Sequence, residues 1–395
     1  MTERLYYDDA YLWEFDAVVT ASGRGGKPGE WLVKLNCSAF YPTSGGQPFD
    51  TGTLTFGKTT ARVTQVEADR EGDVLHMTDR EIPAGTPVHG RIDGERRRDH
   101  MEQHAGEHLL AGAVYETLQG TTIGLHVGHE DCSIDVTLPE ERTHLTEEEI
   151  RMLEDLVNRR IRQDDPIRCW FPDEEELSRL PLRKPPTVAE HVRIVAMGDY
   201  EMVACGGTHP SSTGQIGMLK ILSTSPARGK IRITFVCGGR ALALFQSYMR
   251  SADKAGAALS CPVEKLSRAA SDLKGKLAEA ERRANRLESR EILQKMEAGM
   301  EDHGGILLCA VAIAETDPRA VAAAASDFVA AKGRLLLLCA GERLTFARSA
   351  DVKVNMNDLI KRVGRGGGRP DMACGAGIPE CVFTARKILM TEGMK

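Results

Sequence analysis

The spacing of apolar and polar residues divides the chain into a β-rich start, a mixed middle, a helical stretch and an alternating end. In residues 1–92, short apolar or alternating segments stand between clusters of Gly, Pro and Asp, which predicts strands. The clearest of these strands cover residues 31–36, 52–56 and 61–67. Across residues 94–118, apolar residues recur every three or four positions, a period that predicts a helix.

The middle of the chain combines a second helix with further strands. Thr146 followed by Glu149 is a capping-box pattern, and it predicts a helix over residues 146–162. Apolar segments then predict three strands. They lie near residues 192–196, 216–222 and 231–236. This mixture of helices and strands predicts an α+β domain over residues 93–240.

A seven-residue repeat follows. Its positions are Leu259, Leu266, Leu273, Ala280 and Leu287. A second apolar residue stands four positions after each of the first four, so the repeat predicts a long helix with Ser260 and Pro262 in its first turn. We expect a helical or coiled-coil linker over residues 241–303. Its apolar stripe must be buried either against another helix of the same chain or against a second subunit, and the pattern leaves both alternatives open.

The last part of the chain alternates strand and helix patterns, which predicts a small α/β domain over residues 304–395. Strands are expected at 306–313, 334–339 and 344–348, and helices at 318–332, 355–363 and 379–390. A glycine-rich loop is expected between the last two helices. The predicted fold is therefore α+β and multidomain, with the β-rich part forming a first domain over residues 1–92.

Composition places the chain among soluble folded proteins, with 42% hydrophobic and 27% charged residues. The longest apolar run, residues 306–314, is shorter than the roughly 18 residues that a membrane helix needs. The first ten residues lack the apolar core of a signal peptide, so we expect a cytoplasmic protein. Without an export signal, the ten cysteines are expected to be reduced thiols, at least one of them a metal ligand.

The charge is distributed unevenly, although its total is only -6. Residues 202–252 contain no Asp or Glu and six Lys or Arg. Residues 331–395 carry twelve Lys or Arg against six Asp or Glu. Positive charge that is concentrated in two segments of a protein with a net negative charge indicates a surface that binds a polyanion.

Two pairs of residues share the spacing of metal ligands. His104 and His108 lie at positions i and i+4 of the predicted helix, hence on one face. Cys205 and His209 repeat this offset in the sequence CGGTH, and imidazole with thiolate suits Zn²⁺. A local zinc finger closes within about 30 residues, whereas these pairs lie far apart, so the site should be the centre of a domain. His100, one turn before His104, is an alternative ligand that we rank as a supporting residue.

The motifs HAGEH and CGGTH, with STGQIGMLKI after the second, resemble the editing domain of alanyl-tRNA synthetases and of free-standing alanyl-tRNA editing proteins of the AlaX type. The segment YPTSGGQPFDTG at 41–52 is similar to the glycine-rich motif of the small β domain that precedes this editing domain. VGRGGGRPDMACGAG at 363–377 is similar to the loop of the DHHA1 domain that ends the long forms.

The resemblance implies a small barrel-like β domain, a zinc editing domain, a helical linker and a DHHA1-like domain. Because DHHA1 domains are often associated with dimers, it also favours a homodimer over packing of the linker within one chain. It also implies an activity. The protein would be a trans-editing hydrolase that deacylates tRNA(Ala) mischarged with serine, or also with glycine, using Zn²⁺. We expect trans-editing, since no class II aminoacylation module stands before these motifs.

The resemblance also assigns residues to roles. His104, His108, Cys205 and His209 would hold zinc, and Thr43, Gln47 and His126 would contact the substrate. Arg365, Gly366, Gly367, Gly368 and Arg369 would contact tRNA. Thr43 can discriminate serine from alanine by a hydrogen bond or serve only to form a turn.

Two questions stay open at this point. Four protein ligands fill a tetrahedral zinc, so either one ligand is loose or the coordination expands when water enters. The function also has two rivals. One is a non-catalytic, zinc-containing tRNA-binding dimer, and the other is an enzyme that edits a different aminoacyl-tRNA.

Overall fold

The computed structural model describes residues 1–128, 130–186, 188 and 190–393. It separates the chain into two compact units, Met1–Ser251 and Ala252–Lys395, which we describe one at a time. Both mix helices and strands, so the predicted α+β multidomain class is confirmed. Among the described residues, no helix combines the length and apolar character needed to cross a bilayer.

The first unit opens with a closed six-stranded barrel, which confirms the barrel-like β domain. Its strands are β1 (Glu14–Arg24), β2 (Trp31–Leu35), β3 (Gly52–Phe56), β4 (Thr59–Ala68), β5 (Val74–Thr78) and β6 (Pro87–Ile92). They close in the order β1-β2-β5-β4-β3-β6, and all neighbours are antiparallel. Val33, Leu54 and Val66 are among the fully buried side chains that fill the interior. The glycine-rich motif is the connection between β2 and β3.

Helix α1 (Gly94–Leu118) follows the barrel and covers the predicted residues. Asp93 caps it by accepting a hydrogen bond from the backbone N–H of Arg96, and Gln119 ends it in a left-handed conformation. Nearly every residue from His100 to Val114 is buried, so the middle of this helix is enclosed on all sides. A helix buried all round is normally apolar, whereas α1 buries several histidines and acidic or amide side chains. That exception marks the functional part of the helix.

The remaining elements of the first unit pack around α1. They are β7 (Thr121–Val127), β8 (Cys132–Thr137), α2 (Glu147–Gln163), β9 (Ile167–Trp170), α3 (Glu174–Arg179), β10 (Ile194–Met197), β11 (Glu201–Ala204), β12 (Leu219–Ala227) and β13 (Lys230–Cys237). Helix α2 begins with the predicted capping box of Thr146 and Glu149. One antiparallel sheet has the order β12-β13-β8-β7, and a second has the order β9-β10-β11. Buried residues of α1, α2 and both sheets form a single core.

Two helices occupy the predicted linker: α4 (Gly238–Leu259) and α5 (Leu266–Ala298). Leu259, the first position of the heptad repeat, ends α4 instead of opening α5. The helix breaks because Ser260 takes a positive φ of 51° and Pro262 cannot continue a helix. Three later seam residues, Leu273, Leu277 and Leu287, are more than half exposed in the single chain. The homodimer and the four-part domain division stay predictions.

The second unit is a six-stranded sheet covered by helices on both faces. Its further elements are β14 (Met300–Asp302), β15 (Leu307–Ile313), α6 (Pro318–Val329), β16 (Arg334–Ala340), β17 (Arg343–Arg348), α7 (Met356–Val363), β18 (Arg365–Gly368), β19 (Met372–Ala376) and α8 (Pro379–Glu392). The strand order is β14-β15-β16-β17-β19-β18. Along β16, Leu336 and Leu338 pack in the core with α5 and α6, and Leu335 and Leu337 pack in the core with α7 and α8.

The glycine-rich segment, predicted as a loop, is instead the edge strand β18. It pairs antiparallel with β19, with Gly366 opposite Gly375. A Cβ atom built on Gly366 would lie 2.6 Å from the carbonyl oxygen of Cys374, so larger residues would collide with the neighbouring strand. The prediction failed because glycine runs are typical of flexible turns, and a close pairing of two backbones is not visible in composition.

Candidate metal centre

The four predicted ligands lie together in the first unit. The histidines come from α1, and Cys205 and His209 come from the turn after β11. The ligand atoms of His104, His108, Cys205 and His209 all lie within 4.8 Å of one another. Cys205 Sγ lies 3.4 Å from Nε2 of His104 and 3.4 Å from Nε2 of His209. A nitrogen and a sulfur bound to one tetrahedral zinc are separated by about 3.5 Å, so these distances fit the ion.

The tight turn of CGGTH depends on Gly207. A Cβ atom at this position would lie 2.1 Å from Cε1 of His104, which no side chain can tolerate. The backbone N–H of Gly207 also donates to Cys205 Sγ at 3.4 Å. Buried Arg193 donates to the carbonyl oxygens of Cys205 (3.1 Å) and Gly207 (2.8 Å). The turn is therefore held from both sides against α1.

Gln47 orients His104. Its Oε1 accepts the backbone N–H of Thr208 at 3.1 Å, and its Nε2 donates to Thr208 Oγ1 at 2.8 Å. Because Oε1 is an acceptor, His104 Nδ1, 2.8 Å away, must be the nitrogen that carries the proton. Nε2 of His104 then keeps its lone pair for a metal. Gln47 is fully buried beside His104, and its predicted contact with the substrate stays a prediction.

The titration of the cluster follows from burial. Burial lowers the pKa of His104 to about 3, and it holds the pKa values of His108 and His209 well below the usual range. The imidazoles are therefore neutral. Burial also raises the pKa of the Cys205 thiol to about 12, so a nearby cation is needed to stabilise the thiolate. Within the described chain, Nδ1 of His108 and of His209 is buried without a hydrogen-bond partner. This donor set fits zinc.

The cluster opens into a cleft of about 620 Å³. Four basic side chains line it, namely Arg4, Arg183, Lys184 and Arg193, together with the acidic Glu107 and Glu190. Glu107 Oε2 lies 4.0 Å from His108 Nε2. Burial raises the pKa of the Glu107 carboxyl to about 7, opposed by the nearby charge of Arg183. The cleft therefore joins a metal-type ligand set, a buried carboxyl group and an excess of positive charge.

The other predicted site residues are not members of the ligand cluster. Ser44 and Gly45 line the cleft, whereas Thr43 beside them is exposed and is not among the lining residues. His126 is exposed near the end of β7, beyond the lining segment of that strand. Arg365, Gly366, Gly367, Gly368 and Arg369 are exposed on the second unit. His100 is buried, and Nδ1 of its ring has no partner in the described residues.

Sequence reasoning missed several residues of the cleft. Tyr7 and Phe171 lie in its wall, and Arg193 braces the ligand turn. One signal was available, because an arginine that directly precedes the apolar run of β10 is unusual in a buried segment. Nothing in the spacing of Tyr7 and Phe171 shows that they meet.

Comparison with known proteins gives two family matches. Residues 192–234, which include Cys205 and His209, match the threonyl and alanyl tRNA synthetase second additional domain. Residues 17–96, which include most of the barrel, match the class II (A) tRNA synthetases.

Alanine-tRNA ligases are similar to a larger part of the chain, in agreement with the two family matches. The alanine-tRNA ligase of Pyrococcus abyssi is 32% identical over 95% of this chain and 42% of its own length. The alanine-tRNA ligase of Pyrococcus furiosus is 34% identical over 77% of this chain and 34% of its own length. The alanine-tRNA ligase of Methanoregula boonei is 33% identical over 95% of this chain and 42% of its own length. The chain thus spans less than half the length of these relatives. Among solved structures, the exonuclease RecJ bound to manganese covers 34% of this chain and 37% of its own at 16% identity and a TM-score of 0.27, which supports no conclusion.

Proposed function

The chain is related to the alanine-tRNA ligases, and from this relation we propose that it is a trans-editing hydrolase that deacylates tRNA(Ala) mischarged with serine or glycine. The observation that supports the proposal most is the cluster of His104, His108, Cys205 and His209 at a basic cleft. An aminoacyl ester attached to a polyanion needs both features, a site that activates water and a surface that attracts phosphate.

We propose that these four residues hold Zn²⁺, which when bound would polarise the ester carbonyl or lower the pKa of water. The chain's own groups would do the rest. Gln47 fixes the tautomer of His104, and Arg193 fixes the turn that carries Cys205. The Glu107 carboxyl group lines the same cleft and is placed to accept a proton from the attacking water.

The direct test is hydrolysis of Ser-tRNA(Ala), Gly-tRNA(Ala) and Ala-tRNA(Ala) by the purified chain, with its metal content measured. We expect serine or glycine to be released while alanine is retained. Stoichiometric zinc without release of any amino acid would instead support a non-catalytic tRNA-binding protein. Release from another mischarged tRNA, with tRNA(Ala) spared, would support the second rival.

A first prediction concerns Gln47. Gln47→Leu removes the acceptor of His104 Nδ1–H, so we expect the affinity for zinc to fall by about 10- to 100-fold. Competition with a chromophoric chelator measures this affinity. Gln65→Leu is the matched control, because the Gln65 amide bonds Glu67 at the barrel surface. Equal affinities in the two variants would show that Gln47 does not orient a ligand.

A second prediction concerns the edge strand β18. We propose that Arg365, Arg369 and the glycine backbone between them contact tRNA phosphates. Arg365→Ala with Arg369→Ala should weaken tRNA binding and flatten the slope of log K against log salt by about 1 to 2. Filter binding at several salt concentrations measures both quantities. Arg386→Ala, which removes an arginine of α8 that is not part of the edge strand, should leave the slope unchanged.

A further inference from the structure

An aromatic wall lines one part of the cleft and has no role in the hydrolysis described above. Tyr7 and Phe171 pack edge to face in this wall, with ring centroids 5.5 Å apart and an interplanar angle of 78°. Phe171 comes directly after β9, and 48% of its surface is exposed. An exposed aromatic ring on the wall of a concave site offers an apolar face on which a ligand can pack.

Two arginines flank Tyr7. The guanidinium carbon of Arg193 lies 5.2 Å from the centroid of its ring, and that of Arg4 lies 5.8 Å away. Since these cations pack on Tyr7, the surface of Phe171 is the part of the wall that remains open to a ligand. A planar heterocycle can stack there, because every base offers a π-face to an aromatic ring.

Arg193 also connects this wall to the metal centre. The same guanidinium that packs on Tyr7 donates to the carbonyl oxygens of Cys205 and Gly207. A Cβ atom built on Gly206 would lie 3.5 Å from the Tyr7 hydroxyl. The wall is therefore a direct neighbour of the turn that carries two of the four ligands, so a group that stacks on it extends towards the cluster.

Arg4 supplies an uncompensated charge at the same place. It donates to the Tyr7 hydroxyl at 3.2 Å and to the carbonyl oxygen of Gly72 at 3.0 Å. Among the described residues, no carboxylate lies within ion-pair distance of Arg4. A half-buried guanidinium without a counter-ion, on the wall of a cleft, suits a phosphate group.

We propose that this wall is the subsite for the terminal adenosine nucleotide of the tRNA, with its base stacked on Phe171 and its phosphate bound by Arg4. This inference rests on the proposed function, because the terminal ribose carries the aminoacyl ester. Holding both the base and the phosphate brings that ester to the metal centre without contact to the amino acid. Recognition of the nucleotide is thereby separate from discrimination between amino acids.

The experiment is equilibrium dialysis of AMP and of adenosine against the full chain. We expect Phe171→Ala to weaken the binding of both ligands by about tenfold or more, and we expect Phe171→Tyr to bind both as the unaltered chain does. Arg4→Ala should weaken the binding of AMP and leave the binding of adenosine unchanged. Phe245→Ala, an exposed phenylalanine of α4, and Arg98→Ala, an arginine packed on Trp13, are the matched controls. If Phe171→Ala loses its circular dichroism signal, Phe171→Leu, which keeps an apolar contact with Tyr7, replaces it.

Two outcomes would overturn the subsite: AMP fails to bind the unaltered chain, or it binds all variants equally. The proposed function fails separately, if the unaltered chain does not deacylate mischarged tRNA(Ala). If AMP binding to such a chain still depends on Phe171 and Arg4, the proposed nucleotide subsite is supported and only the proposed hydrolysis is refuted. Deacylation with an unchanged KM in Phe171→Ala would keep the hydrolysis and remove the subsite.

Discussion

Replacing Cys205 by alanine should abolish the release of serine from mischarged tRNA(Ala) and lower the bound zinc from about one ion per chain towards zero. The thiolate is the only anionic member of the four-residue cluster, and its Sγ lies 3.4 Å from two imidazole nitrogens. Without it, three neutral imidazoles remain and the divalent charge is not neutralised. Loss of a supporting residue alone costs 10- to 100-fold, so loss of this ligand should reduce the rate by about a hundredfold or more.

His104→Ala should have the same effect, because it removes a ligand from the opposite side of the cluster. Cys261→Ala is the control, since that thiol lies outside the cluster in the turn between α4 and α5. The measurements are the rate of deacylation and the metal content by atomic emission. Full activity in a metal-free double variant of His104 and Cys205 would refute the proposed mechanism.

Replacing Asp50 by alanine should lower the free energy of unfolding of the first unit by about 3 to 5 kcal/mol. Asp50 forms an ion pair with Arg97, and both side chains are completely buried. Arg97 also donates to the carbonyl oxygens of Ala10 and Ala39. Removing the carboxylate leaves a buried guanidinium without a counter-ion, and this desolvated charge is the main cost.

The measurement is urea unfolding followed by tryptophan fluorescence. All three tryptophans of the chain, Trp13, Trp31 and Trp170, belong to the first unit, so the signal reports that unit alone. Asp79→Ala is the matched control, because its partner Arg62 is 75% exposed and such surface pairs contribute less than about 1 kcal/mol. Similar losses in the two variants would show that the buried pair does not stabilise the barrel against α1.

The parts of the fold that depend on local spacing were predictable. The helix over residues 94–118 and the capping box at Thr146 follow from periodicity and from side-chain chemistry within one turn. The i, i+4 offset of His104 and His108 likewise places both rings on one helix face. Three of the six barrel strands were located to within two residues, because Gly and Pro clusters bound them, whereas the strands Glu14–Arg24, Val74–Thr78 and Pro87–Ile92 were not given bounds from the sequence.

Contacts between distant segments were not predictable. Gln47 and His104 are 57 positions apart, and no pattern in the sequence shows that a buried amide bridges them. The edge-to-face contact between Tyr7 and Phe171 also joins distant segments, and no sequence pattern indicates it. The pairing of β18 with β19 was missed for a different reason, since glycine has no side chain whose periodicity could reveal a strand.

The hydrogen bonds of Gln47 also constrain the order in which the protein can mature. The candidate centre combines three elements: the barrel connection that carries Gln47, the helix that carries His104, and the turn that carries Thr208. Gln47 and Thr208 are 161 positions apart in the sequence. Contacts of such separation form late, after the loops between them have closed. During synthesis, no fragment that ends before His209 holds the complete ligand set. A cation bound there would therefore stabilise only the finished first unit, and its uptake would report that this unit has folded.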